Sequence, residues 1–163
     1  FKIVISPNSE EFLQLVQGGD VIIDPSLDVV KDVYLKKKTM FFKNQSHKLI
    51  IRCGKLGCLN PLIDYTFEHF PAYHDGNNPE KIVDATGCGN SFLGAFSAAL
   101  ILTNFDYSLA CIFGNIASGI VLESKGLPEN SSVLENDKTT VLWNGLSFNQ
   151  RLDIYSKKYF SNW

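Results

Sequence analysis

Asp84-Ala85-Thr86-Gly87-Cys88-Gly89-Asn90 is a glycine-containing turn that leads directly into a run of small and apolar residues. Its two glycines let the backbone turn sharply and come close to a ligand. The run that follows predicts a helix over residues 89–103, whose unpaired N–H groups and positive dipole end face back toward the turn. The sequence therefore predicts either a turn that binds an anion such as phosphate, or a tight turn into a helix with no ligand.

Short apolar runs alternate with helix-like segments before this turn. Ser9 is expected to cap a helix that ends at Gly18-Gly19, because two glutamates and apolar residues at helical spacing follow it. The other expected elements are strands over 1–5 and 49–53, an apolar run over 21–23, a helix over 27–42, turns over 54–57 and 76–79, and a hairpin return from 58.

After the turn, the sequence predicts two further helices with a polar segment between them. An apolar helix is expected over 105–124 and a final helix over 147–160, while residues 129–150 are interpreted as polar and irregular. Short buried strands followed by helices are typical of a layered α/β fold with a largely parallel sheet.

Composition and charge indicate a chain that forms an apolar core and give no reason to expect a nucleic-acid-binding or membrane protein. The chain has 163 residues, of which 45% are hydrophobic and 20% charged, so it is long and apolar enough to form a core. A net charge of −2 gives no electrostatic reason to expect nucleic acid or an anionic membrane as a partner. The lysine run 36–38 is interpreted as a solvated helix face, and no apolar run reaches the roughly 18 residues of a membrane helix.

The cysteines point to a reducing compartment. Their spacings match no zinc site, and the histidines add no ligand pattern, so free thiols in the cytoplasm are expected for Cys53, Cys58, Cys88 and Cys111.

Residues 84–96, DATGCGNSFLGAF, resemble the signature of the ribokinase-like (PfkB) carbohydrate kinase family, an Asp-x-Thr-Gly-Ala-Gly-Asp turn before a helix that begins with Phe. The chain departs from this signature at Cys88 and Asn90, and its Gly-Asn pair is similar to a fungal branch of the family, the maintenance-of-killer type. Three further segments resemble the family in the same order: the Pro-Asn-x-x-Glu segment at 6–11, the strand and Gly-x-x-Gly loop at 50–57, and the late helix from 113 to 126.

The resemblance covers about residues 1–128 and implies a ribokinase-like layered sandwich, a mostly parallel sheet with flanking helices. Because the chain opens at Phe1 and the matching motifs belong to the later part of such kinases, residues 1–163 are expected to be the C-terminal part of a kinase domain. The sugar pocket and lid of the family would then lie in an absent N-terminal half. Residues 129–163 are expected to add an irregular segment and a terminal helix.

Asn90 stands where the resembling family has the Asp that takes the proton from the substrate hydroxyl. An amide has no accessible basicity near pH 7, although its oxygen still accepts a hydrogen bond. The three residues before it, Gly87, Cys88 and Gly89, correspond to the family's anion hole. The resemblance thus implies preserved phosphate binding and an altered catalytic base.

The resemblance also implies cations. Asn8 and Glu11 fall at positions tied to magnesium and phosphate, where Glu11 would hold magnesium through water. An exposed carboxylate that favours a helix start is the alternative for Glu11. Asp84 and Thr86 match positions that support a monovalent cation such as potassium, with local turn hydrogen bonding as the alternative.

The nucleotide site implied by the resemblance involves two further regions. Gly54 and Gly57 would let backbone groups lie against the ribose and phosphates of ATP, and a plain β-turn is the alternative. Asn115 corresponds to a position near the adenine.

Three functions follow from these expectations. The first is a kinase that transfers a phosphoryl group from ATP, with magnesium, to a hydroxyl of a sugar or nucleoside-like alcohol. The second is a pseudokinase that binds nucleotide and acts through a protein partner or as a homodimer. The third is a structural module that binds no ligand.

Overall fold

The computed structural model describes residues 3–20, 22–37, 47–76, 78–135 and 138–160, which divide into two compact units, Phe1–Phe70 and Pro71–Trp163. Several predicted features lie partly outside the described residues. These are the first two residues of the strand at 1–5, position 21 of the apolar run, position 38 of the lysine run, the helix at 27–42 beyond 37, and position 77 of the turn at 76–79.

The first unit combines two helices with short strands. Its elements are β1 (Ile3–Ile5), α1 (Ser9–Gln17), α2 (Leu27–Lys37), β2 (His47–Leu49), β3 (Ile51–Arg52), a 3₁₀ turn (Gly54–Leu56), β4 (Cys58–Pro61) and β5 (Phe67–Phe70). Strand β1 pairs with β2 in parallel, and β3, β4 and β5 form an antiparallel meander. The predicted helices, the turn at 54–57 and the hairpin return from 58 are therefore confirmed within the described residues.

The predicted strand at 49–53 is divided in the structure. Residues 47–49 and 51–52 belong to two strands, with Ile50 between them. The alignment with β1 nevertheless continues, because the Ile50 N–H donates to the Ile5 carbonyl oxygen (2.9 Å) and the Arg52 N–H donates to the Pro7 carbonyl oxygen (3.0 Å).

In the apolar run at 21–23, the described residues 22–23 form no strand.

The core of the first unit is made by the apolar faces of α1 and α2 against the strands. Residues spaced three and four apart on each helix are buried, as an amphipathic helix requires. The buried set is Phe12, Leu13, Val16, Val30, Val33, Tyr34, Leu49, Ile51, Cys53 and Leu59.

The second unit contains the helix predicted after the glycine turn. Its elements are a 3₁₀ turn (Pro79–Lys81), α3 (Cys88–Leu102), α4 (Tyr107–Leu122), β6 (Asn130–Glu135), β7 (Lys138–Trp143), β8 (Leu146–Ser147) and α5 (Phe148–Tyr159). The three predicted helices are thus confirmed. None of the helices that the structure describes combines the length and apolar character needed to cross a membrane.

The interpretation of residues 129–150 as irregular was wrong. Strands β6 and β7 pair antiparallel from Asn130 opposite Trp143 to Glu135 opposite Lys138, and β7 pairs with β8. The connection between β7 and β8 is Asn144-Gly145, with φ of 50° and 82°. Two positive φ angles are what a two-residue type I′ turn requires, and Asn-Gly is its strongest sequence signal.

The predicted α/β class is confirmed, but the pairing is less parallel than expected. Among the strands that the structure describes, parallel pairing joins β1 to β2, and the four other pairings are antiparallel. Tight two-residue and short-loop connections permit only antiparallel neighbours, because parallel strands need a longer crossover.

Helices α3 and α4 approach closely at Gly114, where an added Cβ would lie 2.7 Å from ring atoms of the buried Phe92. We expect Gly114→Ala to destabilise the protein by about 1–3 kcal/mol, because the ring has no room to move. Gly94→Ala is the matched control: it lies in α3 with nothing within 4 Å, and we expect it to stabilise by about 0.5–1 kcal/mol. Urea unfolding measures both, and equal effects would contradict the close approach.

Candidate functional site

Residues 84–90 form a turn whose shape is set by one glycine. Gly87 is the residue before α3 and adopts the left-handed conformation (φ 86°, ψ −11°), with no side chain capping the helix. The Cys88 N–H donates to the Ala85 carbonyl oxygen (3.2 Å), and the Ser91 N–H to that of Gly87 (3.0 Å). A side chain at position 87 would be strained in this conformation, which explains the glycine.

Two backbone donors in the first turn of α3 remain open. The N–H groups of Gly89 and Asn90 donate to no acceptor in the part of the chain that the structure describes. They lie at the positive end of a helix of 15 residues. Asn90 is exposed, and its side-chain amide bonds to none of the described residues. The turn therefore presents two unpaired donors with a neutral polar side chain beside them, and anion binding there stays a prediction.

Asp84 and Thr86 bond to each other within the turn. The Asp84 Oδ1 atom accepts the Thr86 N–H (2.9 Å). The backbone hydrogen bond from Thr86, reinforced by its side chain, lowers the pKa of the Asp84 carboxyl. This is the local turn bonding that was the alternative for these residues, and a role toward potassium stays a prediction.

Cys88 braces the start of α3 against α4. The Ser118 hydroxyl donates to the Cys88 carbonyl oxygen (2.9 Å), and the Cys88 thiol to the Ser118 carbonyl oxygen (3.4 Å). Burial raises the pKa of the Cys88 thiol, and the Asp84 carboxylate adds to the rise. The side chain at 88 therefore supports the turn as a neutral thiol.

Asn8 and Glu11 form a reciprocal cap at the start of α1. The Asn8 N–H donates to Glu11 Oε2, and the Glu11 N–H to Asn8 Oδ1, both at 2.7 Å. The expectation that Ser9 caps the helix was wrong, because the Asn8 side chain reaches the third helical amide and Glu11 returns the bond. Glu11 Oε2 also lies 3.5 Å from Arg52 Nη2. The structure thus gives Glu11 the helix-start role that was its alternative.

Gly54 and Gly57 enclose a 3₁₀ turn in the first unit. Their φ angles are 54° and 89°, and an added Cβ at Gly54 would meet nothing within 4 Å. The turn closes on itself, since the Gly57 N–H donates to the Gly54 carbonyl oxygen (3.0 Å). Lys55 between them pairs with Asp24. The open space beside Gly54 is compatible with a ligand, and nucleotide contact stays a prediction.

Asn115 is buried, with 5% of its surface exposed. Its Nδ2 donates to the Pro71 carbonyl oxygen (3.0 Å) and to the Tyr155 hydroxyl oxygen (3.4 Å). The Tyr155 hydroxyl donates to the same carbonyl (2.6 Å). Asn115 therefore anchors the start of the second unit, and its proximity to adenine stays a prediction.

The model of the pfkB family of carbohydrate kinases matches residues 4–133. The chain belongs to the pfkB carbohydrate kinase family. This pfkB-family chain is 34% identical to protein MAK32 of Saccharomyces cerevisiae over 157 residues, which cover 94% of the chain and 40% of MAK32. The predicted family resemblance is therefore confirmed, and the chain spans less than half the length of this relative.

Solved structures show the same fold. The ribokinase of Cryptococcus neoformans var. grubii serotype A in complex with ADP superimposes with a TM-score of 0.60 at 18% identity, over 93% of this chain and 43% of that one. The ribokinase of Arabidopsis thaliana complexed with ribose and ATP gives a TM-score of 0.55 at 19% identity, over 76% and 36%. At these identities the likeness establishes the ribokinase-like fold of the pfkB-family chain.

The described residues of the pfkB-family chain are compatible with magnesium held through water rather than by a cluster of side-chain ligands. They include no group of three or more His, Cys, Asp or Glu side chains that could hold a metal directly. Glu11 is 59% exposed at its side chain, so water reaches it, although Asn8 and Arg52 already engage Oε2. A water-mediated role, with phosphates as the direct ligands, is the arrangement that this carboxylate allows.

A buried charged cluster in the second unit was missed by the sequence analysis. Glu123, at the end of α4, accepts hydrogen bonds from Arg151 Nη1 (2.6 Å), Arg151 Nη2 (2.7 Å), His74 Nε2 (2.9 Å) and Asn144 Nδ2 (3.0 Å). These residues are far apart in the sequence, so no local pattern predicts the cluster. The Asn144-Gly145 pair, a hairpin signal, could have indicated only the position of Asn144 in a turn. Burial alone raises the pKa of the Glu123 carboxyl, but these bonds outweigh it and lower the pKa to about 2.

We expect Glu123 to make stability depend on acid pH. Its folded pKa of about 2 lies below the ordinary 4.5, so the carboxylate stabilises the fold above pH 4.5, and this contribution is lost as pH falls toward 2. The loss amounts to roughly 3 kcal/mol. Urea unfolding between pH 2 and 5 measures it, and Glu123→Gln should show a shallower decline. Equal slopes in both proteins would contradict the assignment.

Proposed function

We propose that the protein is a pfkB-type kinase that transfers a phosphoryl group from ATP to a hydroxyl of a sugar or nucleoside-like alcohol. The open N–H groups of Gly89 and Asn90 at the start of α3 carry this proposal. Asn90 is exposed and Gly89 is half-buried, both N–H groups lie at the positive end of a helix, and the left-handed Gly87 before them carries no side chain. An anion such as the transferred phosphoryl group satisfies both donors.

Phosphoryl transfer requires little covalent catalysis by the protein. Phosphoryl transfer depends on positioning and on stabilising charge on the phosphoryl oxygens. The backbone amides of Gly89 and Asn90 donate to those oxygens, and the side-chain Oδ1 of Asn90 accepts the hydrogen bond of the substrate hydroxyl and orients it. Magnesium, when bound with ATP, neutralises phosphate charge, and Glu11 is the carboxylate that would hold it through water.

For the remaining site residues we propose the following contacts, within each unit separately. Gly54 and Gly57 would lie along the ribose and phosphates, Asn115 would support the adenine region through its buried anchor, and Asp84 with Thr86 would adjoin a potassium ion. The solved ribokinases with ADP, or with ribose and ATP, support nucleotide and sugar as ligands. The free thiols of all four cysteines support the expected cytoplasmic location.

A second candidate function is favoured by one residue. Asn90 cannot take a proton from the substrate, and a general base contributes about 10²–10⁴-fold to the rate. A protein with an intact anion-binding turn and no base is a pseudokinase, which binds nucleotide and acts through its conformation, a protein partner or a second copy. The same geometry supports both candidates, so the rate of turnover separates them.

Binding is tested with the protein expressed from its complete reading frame. We expect ADP with magnesium to raise the melting temperature, since a ligand at a hundred times its dissociation constant stabilises by about 2.7 kcal/mol. Gly87→Ala should weaken this effect by straining the left-handed turn. Gly76→Ala is the matched control, because Gly76 has nearly the same φ (85° against 86°) outside the turn. No shift with the native protein would instead favour a structural module.

Catalysis is tested at position 90. We expect slow ATP turnover with a panel of sugars and nucleosides, and an increase of about 10²–10⁴-fold in Asn90→Asp, which restores a carboxylate base. Asn90→Ser, which restores no base, is the control. Nucleotide binding without native turnover would identify the pseudokinase. Ordinary kinase rates in native protein with no gain in Asn90→Asp would refute the role given to residue 90.

A further inference from the structure

The carbonyl oxygen of Leu122 connects the end of α4 to the start of the anion-binding turn. It accepts hydrogen bonds from the N–H groups of Val83 (2.8 Å) and Asp84 (3.2 Å). Asp84 in turn holds the Thr86 amide, one residue before the left-handed Gly87. The position of the turn therefore depends on where the last turn of α4 places this carbonyl.

The residue after Leu122 is clamped by α5. Glu123 receives both terminal nitrogens of Arg151, at 2.6 and 2.7 Å, and paired bonds of this kind fix direction as well as distance. Arg151 also donates to the Trp143 carbonyl oxygen (2.9 Å). The Arg151 side chain is 1% exposed and that of Glu123 is 10% exposed, so little water competes for the ion pair. The end of α4 is thus tied to α5 and to β7.

Asn144 fastens the same helix end from the hairpin. Its Nδ2 donates to the Ile120 carbonyl oxygen and to Glu123 Oε2, both at 3.0 Å. Its Oδ1 accepts from the Ser124 hydroxyl (3.1 Å) and from the Glu129 N–H (3.0 Å). One side chain therefore uses all its hydrogen-bonding capacity on residues that bracket the carbonyl holding the turn.

We propose that Arg151 and Asn144 are positioning residues for the anion-binding turn, acting through the end of α4 and the Leu122 carbonyl. Both lie after residue 133, where the match to the pfkB family ends, so the last part of the chain contributes to the site from outside the family match. Neither residue touches the anion. The inference rests on the proposed function, because the geometry that they hold is that of a phosphate site.

The test removes the clamp and measures the turn in the protein expressed from its complete reading frame. Arg151→Met leaves Glu123 without its cation; a double variant, Glu123→Gln with Arg151→Met, removes both charges and so avoids an unpaired buried carboxylate. In both we expect affinity for ADP with magnesium to fall about tenfold, measured by calorimetry well below the melting temperature. Hydrogen exchange at Val83 and Asp84 should accelerate, and Arg151→Lys should recover part of the affinity.

Leu100→Ala separates positioning from loss of stability. Leu100 is buried in α3, twelve residues after Cys88 and so about 18 Å along the helix axis from the turn. We expect it to lower the melting temperature through a cavity while leaving ADP affinity and exchange at Val83 and Asp84 unchanged.

Three results would overturn the proposal, and they are distinguishable. If the double variant binds ADP as tightly as native protein, with unchanged exchange, the positioning role is wrong while the proposed function stands. If Leu100→Ala weakens ADP binding as much as Arg151→Met, the effect is a general loss of stability and the positioning role is also wrong. If native protein binds no ADP, the proposed function fails and the inference fails with it.

Discussion

The constraint on which the second unit depends is the pair of unsatisfied N–H groups at the start of α3. A helix cannot bond its first amides internally, so each helix start needs a side chain, water or a ligand. Asn8 and Ser147 supply side-chain caps to their helices, whereas Gly87 supplies none to α3. The surrounding contacts hold this uncapped end in place, through Ser118 on one side and Leu122 on the other. A helix start that is braced but has no side-chain cap leaves its first amides to water or to an external ligand.

Much of the fold could be predicted from local signals. Apolar runs after Gly89 and Phe105 indicate α3 and α4, and Ser147 followed by Gln150 three residues later indicates the start of α5. These signals are local, because a helix start and a periodic apolar face depend on residues that are near each other in the sequence. The glycines at 87 and 89 indicated the turn for the same reason. The local signals did not identify which of the adjacent residues Asn8 and Ser9 caps α1, because that depends on side-chain geometry.

The rest depended on interactions between distant residues. Glu123 and Arg151 are 28 positions apart, and no sequence motif around either residue predicts their ion pair. Asn115 matched a family position, yet the structure shows its amide committed to Pro71 and Tyr155, a contact over 44 and 40 positions. The strand pairing at 129–150 was hidden by polar side chains, because a ribbon in water shows no alternation of apolar and polar residues.

Strands β6 and β7 form such a ribbon, with described residues 130–134 and 138–141 exposed on both faces. In most sheets a buried face selects the register, since a slip of one residue would turn apolar side chains outward. Within the described residues, the alignment is fixed at the base, where the Asn144 N–H donates to the Glu129 carbonyl oxygen (2.8 Å) and Asn144 Oδ1 accepts the Glu129 N–H. The exposed side chains at the described outer positions therefore place little constraint on the alignment, whereas the corner at Asn144 is held by both its backbone conformation and its bonds.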